Sequence, residues 1–126
     1  MIHRFNPLGG LILIDGLVAG PIGVTRVRLA IDTGATSTVL HLRILENIGY
    51  DSSSATSVEI GTGSGKEGGK IITVEAVQAL GITNKHIEIL SFSLPNHIKV
   101  DGVLGLDFFR NRRLCIDFAA GEIELT

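Results

Sequence analysis

The residues best suited to chemistry stand in Ile31-Asp32-Thr33-Gly34-Ala35, where a lone acid leaves an apolar run and enters a Thr-Gly turn. A carboxylate held there can take a proton from water and return it. In the run before it, Val24 to Ile31, alternation puts Thr25, Val27, Leu29 and Ile31 on one face and Arg26 and Arg28 on the other, the pattern of a half-buried strand. Asp32 is therefore expected at a strand end. Gly34 permits a tight turn and close backbone approach, so that neighbouring N–H groups can point at the carboxylate, and the Thr33 hydroxyl can brace the loop. The same residues would also make an ordinary Asx-type turn, so the tripeptide needs context.

The context comes at Val100-Asp101-Gly102-Val103-Leu104-Gly105-Leu106-Asp107-Phe108-Phe109. With the Asp32 segment it resembles the retropepsin-like aspartic proteases, in which an Asp-Thr-Gly loop is followed, some tens of residues later, by two apolar residues and a Gly leading into a short helix. Val103-Leu104-Gly105 fits that slot, and the similarity runs from about Leu11 to Leu125. The resemblance implies an all-β fold, a closed barrel with two short helices and a Gly-rich flap hairpin. It implies an aspartic endopeptidase with Asp32, Thr33 and Gly34 as the catalytic loop, Thr33 hydroxyls bonding across a dimer and the Gly34 carbonyl contacting substrate backbone. It further implies that Thr62, Gly63, Ser64 and Gly65 close over an extended peptide, with Ala35 and Val103 also on the substrate side. Two positions depart from the viral members: Thr36 and Ser37 follow Ala35 where those carry acids, and Leu106-Asp107 follow Gly105 where those carry Arg-Asn. The acid–arginine brace is thus absent, and Asp107-Phe108-Phe109 is closer to cellular and bacterial relatives.

One carboxylate does not suffice for this chemistry. Two must share a site, one ionised to accept a proton from water and one protonated to donate to the carbonyl oxygen. Asp101 precedes Gly102 without the Thr-Gly turn, and 126 residues are too few for two lobes carrying both loops. The expectation is a homodimer with a two-fold axis between two Asp32 side chains, acting on a peptide or protein substrate. The alternatives are a retropepsin-like dimer that grips extended peptides without cutting them, and an unrelated β domain. Ala35 carries no hydroxyl to favour the ionised carboxylate, so activity is expected to peak in weak rather than strong acid.

Composition narrows the partners. A chain of 126 residues is expected to form one domain with a sizeable core. Net charge is −2, and no basic run alternates with aromatics, so neither nucleic acid nor a membrane surface is expected as partner. No stretch reaches the roughly 20 apolar residues of a membrane span. Asp15 interrupts the apolar run Leu11 to Val18 and no small-residue cleavage site follows, which makes a cytoplasmic location the expectation. The single cysteine, Cys115, excludes an intramolecular disulfide and reads as a buried strand residue between Leu114 and Ile116. His3, His41, His86 and His97 have no ligand-like spacing, so neither metal nor cofactor is expected.

The remaining pattern predicts the frame. Leu11 to Val18 and Val24 to Ile31 form a hairpin around Gly20-Pro21-Ile22-Gly23, and Leu42, Leu45 and Ile48 share one face of a short helix stopped by Gly49. Asp51 to Ser57 is a polar loop. Val58 to Thr62 and Ile71 to Val77 flank a Gly-rich tip, Gly63 to Gly69. Gly61-Thr62-Gly63-Ser64-Gly65-Lys66 superficially suggests a phosphate loop, but it is one residue short, Glu67 replaces the hydroxyl that would bind metal, and β-branched residues follow. Ile87 to Leu90 and Ser91 to Leu94 read as strands before a Pro95-Asn96 turn, and Leu106 to Asn111 as a helix. Leu114 to Phe118 and Glu122 to Leu125 form a closing hairpin.

Overall fold

The computed structural model describes residues 1–62, 65–93 and 99–126. Among these residues, ten strands and two short helices follow in the order β1 Ile2–Arg4, β2 Leu13–Gly20, β3 Gly23–Ile31, β4 Val39–His41, α1 Leu42–Asn47, β5 Thr56–Thr62, β6 Gly65–Ala79, β7 Ile82–Phe92, β8 Gly102–Leu104, α2 Leu106–Phe109, β9 Leu114–Asp117 and β10 Glu122–Leu125. A single 3-10 turn, Ser52–Ser54, precedes β5, with the Asp51 carboxylate as its cap; the Ser53 hydroxyl and N–H hold that carboxyl below its ordinary pKa.

Six strands run β2-β3-β8-β4-β7-β6, and β6 pairs back onto β2 from Gly16↔Ala79 to Ala19↔Ala76, closing a barrel. Closure satisfies the strand edges that an open sheet would leave bare. Alternation turns one face of β2, β3, β7 and β8 inward, and β6 changes phase between Val74 and Val77, so Val18, Val27, Leu29, Leu40, Val74, Val77, Ile89 and Leu104 pack the interior with Phe108 from α2. β5 lies outside the closed ring and, among the described residues, pairs with β6 alone.

Helix α1 ends as its sequence requires: Gly49 adopts φ +102°, and its N–H donates to Glu46 O while Tyr50 N–H donates to Leu45 O. The Tyr50 hydroxyl donates to Ala19 O at 2.7 Å and accepts from Glu75 N–H at 2.8 Å, tying β2 to β6. Burial, helped by the nearby Glu75 charge and opposed by the Glu75 N–H, pushes the Tyr50 phenol above its ordinary pKa.

Several expectations are corrected. Gly65 to Gly69, expected in the hairpin's tip, belong to strand β6, with Gly68 opposite Glu59 and Gly69 opposite Val58; Gly69 is buried, and a Cβ on it would collide with Ile60. No helix follows it, so the phosphate-loop geometry is absent there. β7 is one strand through Phe92, while Leu94, Pro95, Asn96 and His97 lie outside the described residues. Helix α2 stops at Phe109, because the chain turns through Asn111 at φ +61° with Arg112 N–H on Phe109 O. Cys115 is exposed, not buried. Strand alternation turns Leu114 and Ile116 onto the core and therefore Cys115 away from it, on a three-stranded sheet β1-β10-β9. In that sheet β1, which was not anticipated, pairs with β10 from Ile2↔Glu124 to Arg4↔Glu122.

Candidate active site

Strand β3 delivers Asp32 to the protein surface, and β8 fixes the place where it emerges. The two strands are parallel, Ile31 stands opposite Leu104, and Asp32 N–H donates to Leu104 O at 3.0 Å. Beyond that point the chain folds back on the carboxylate: Gly34 N–H donates to Asp32 Oδ1 at 2.9 Å and Ala35 N–H to Asp32 O at 3.1 Å. The Asx-type turn and the predicted N–H contact to the acid are thus one arrangement. Asp32, Thr33 and Gly34 are exposed, Ala35 half-buried.

The loop is clasped from behind by the start of α2. Leu106 N–H donates to Ala35 O at 2.8 Å and Asp107 N–H to Thr36 O at 3.2 Å, so helix donors that lack intrahelical partners hold the loop instead. Thr38 completes the clasp. Its N–H lies 2.9 Å from both oxygens of the Asp107 carboxylate, its hydroxyl donates to Asp107 Oδ1 at 2.7 Å, and the same hydroxyl accepts from Gly105 N–H at 3.2 Å. Thr38 is fully buried, which makes these charge-assisted bonds costly to break.

The glycines of the second motif follow from this crossing. A Cβ on Gly105 would stand 2.6 Å from the backbone carbon and oxygen of Ser37 and 2.8 Å from Ala35 O. At Gly102 it would collide with Val39 O, because β8 is squeezed between β3 and β4. Val103, half-buried, pairs with Ala30 on one side and Val39 on the other. Asp101 sits at the opposite end of β8: its carboxylate accepts the Arg28 N–H, its own N–H donates to Arg28 O, and its carbonyl accepts from His41 N–H. It is committed to joining strands.

The structure therefore brings Asp32, Thr33, Gly34, Ala35 and Val103 together. Thr62 and Gly65 pair with each other at the outer end of the β5–β6 hairpin, and Gly63 and Ser64 lie outside the described residues. No group of three His, Cys, Asp or Glu residues that could hold a metal occurs among the described residues.

The family described as "gag-polyprotein putative aspartyl protease" matches residues 18–111, a span that contains both the Asp32 loop and its clasp. The chain belongs to the retropepsin-like aspartic protease family. The fold agrees. A retropepsin-like aspartic protease from Rickettsia conorii superposes with a TM-score of 0.73 at 20% identity, over 99% of this chain and 88% of that one. The EIAV protease complexed with the inhibitor HBY-793 gives a TM-score of 0.60 at 19% identity, over 82% of this chain and 89% of that one. The retroviral protease-like domain of Ddi1 from Leishmania major gives 0.60 at 15% identity, over 92% and 94%. No curated protein matches the sequence.

Within this family frame, the residues that sequence reasoning missed are Thr38 and the bracing role of Asp107. A signal was present: Asp107 is a single acid among Leu106, Phe108 and Phe109, and an acid next to buried aromatics needs a partner. Its partner, Thr38, lies 69 positions away, and only the fold shows it.

Proposed function

We propose that the protein is an aspartic endopeptidase that works as a homodimer. The observation that carries this reading is the Asp32 carboxylate itself, exposed at a strand end on a loop locked by 2.8–3.2 Å bonds, while Asp101 and Asp107, the acids bonded into the neighbouring framework, are committed to Arg28 and Thr38. The second carboxylate of the pair then comes from Asp32 of another copy. In the resulting dyad one Asp32 accepts a proton as water attacks the peptide carbonyl carbon, and the other donates to the carbonyl oxygen; the C–N bond breaks as the nitrogen is protonated. The β5–β6 hairpin acts as a flap, with Thr62 to Gly65 over an extended peptide held by main-chain bonds and Ala35 and Val103 against its side chains. We place the protein in the cytoplasm.

The test is digestion of a mixed peptide library by the parent and by Asp32→Asn, with sedimentation of both. The expected result is a dimer in both cases and cleavage reduced at least ~10²–10⁴-fold in the variant. Equal cleavage by the variant refutes the role of Asp32. A dimer that binds peptides but never cuts them supports the non-catalytic alternative.

A further inference from the structure

Two grooves meet beside the active-site clasp. The first, about 290 Å³, runs from Ser37 and Asp107 along Ile71, Ile87 and Leu90, with Glu88 at its rim. The second, about 520 Å³, continues past Ile87 and Asp107 to Lys85, Arg110 and Arg112. Asp107 and Ile87 line both, so they form one path that starts five residues from Asp32 and ends on three cations.

The charges along it are unequal. Asp107, the acid in the middle, has both oxygens on Thr38. Lys85, Arg110 and Arg112 are exposed and take no part in an ion pair among the described residues, where the pairs are Arg4–Glu122, Lys66–Glu59 and the amino terminus with Glu124. In a chain of net charge −2, this end of the path is locally positive. Asn111 at φ +61° turns the chain tightly between the two arginines, and the Asn84 amide reaches Phe108 O at 3.5 Å, joining β7 to α2 along the groove floor. Leu90 and Lys85 are separated on β7 by about 17 Å, which an extended peptide spans in about five residues.

Building on the protease reading, we infer that this path is an exosite for the part of a substrate that leaves the cleft: an apolar side chain seats against Ile71, Ile87 and Leu90, and acidic residues about five positions farther out meet Lys85, Arg110 and Arg112. Glu88 disfavours an acid at the inner end, so the charge must sit at the outer one. The exosite selects substrates and takes no part in the chemistry.

The test compares the cleavage profile of the parent on a peptide library with that of a Lys85→Gln, Arg110→Gln, Arg112→Gln triple variant, whose fold is checked by circular dichroism. The parent should enrich Asp and Glu several residues from the cut. The variant should lose that enrichment, cutting peptides with acidic extensions roughly tenfold less efficiently, the scale of two or three exposed ion pairs acting together, while peptides with neutral extensions are cut as before. Absence of the enrichment in the parent, or its persistence in the variant, overturns the exosite. Should the parent cut nothing, the protease reading fails on its own, and anisotropy of a fluorescein-labelled acidic peptide decides the groove: binding about tenfold weaker in the triple variant and weakened by salt supports it. Equal binding, or displacement of the peptide by short RNA at lower concentration than by unlabelled peptide, overturns it.

Discussion

The Asp32 loop and the β5–β6 hairpin both contain glycine, yet they are held in opposite ways. The loop is gripped from several directions, by Leu104, by the first N–H groups of α2 and by the Thr38–Asp107 pair. Among the described residues, β5 of the outer hairpin pairs with β6 and with no other strand. A carboxylate proposed to meet its counterpart in a second copy needs a fixed position, and a segment proposed to open and close over a peptide needs few ties. The difference teaches that glycine serves two purposes in one chain: at Gly105 it lets backbones cross, and at Gly61 and Gly68 it leaves open space.

The same substitution should therefore have opposite consequences in the two regions. Gly105→Ala forces a Cβ onto the Ser37 backbone, and we expect a loss of about 3 kcal/mol or more in stability, with activity lost as well. Gly61→Ala and Gly68→Ala, where a Cβ meets nothing within 4 Å, should change stability by no more than about 1 kcal/mol, and in the stabilising direction if they change it at all. Denaturant unfolding of the three variants checks this; equal losses would erase the distinction.

The Thr38–Asp107 pair gives the next largest effect. Asp107→Ala leaves the buried Thr38 hydroxyl and N–H without their acceptor, at a cost of about 2–3 kcal/mol, and frees the loop. Asp107→Asn keeps one acceptor oxygen and should recover more than half of that stability. If both variants unfold at the parent's denaturant concentration, the clasp does not hold the loop.

Much of this was legible in the chain. Alternation from Val24 to Ile31 placed Asp32 at a strand end, Gly49 stopped α1, and Val103-Leu104-Gly105 marked the segment that leads into α2, though not that it crosses as a strand. What was not legible is long-range: Thr38 reaching Asp107, the pairing of β1 with β10, and which way Cys115 faces. The last depended on strand phase. An apolar run of Leu114, Cys115 and Ile116 does not tell which residues turn inward, and the core takes Leu114 and Ile116.

Two smaller effects sharpen the contrast between loop and frame. Within the loop, Ala35→Ser adds a hydroxyl that can donate to the Asp32 carboxylates of the proposed pair; this favours their ionised form, so the protonated partner persists only to lower pH and the activity optimum should move toward acid. A pH–rate profile showing an unchanged or higher optimum would refute the argument. Within the frame, Tyr50→Phe removes the bridge between Ala19 O and Glu75 N–H and should cost about 1 kcal/mol. Because burial raises the Tyr50 phenol in the folded chain, the unfolded chain ionises first. The stability this lends is fully present below the ordinary value of 10.0 and declines as pH rises through the raised value. Tyr50→Phe should lack that part of the alkaline decline in thermal unfolding.

The central claim, that the catalytic pair is made of two copies of one residue, is tested most directly by the separation of the Asp32 side chains in a crystal structure of the dimer. The account predicts two Asp32 carboxylates facing each other across a two-fold axis with oxygens about 2.5–3.2 Å apart. A dimer that holds them beyond hydrogen-bonding reach, or on opposite surfaces, would contradict it.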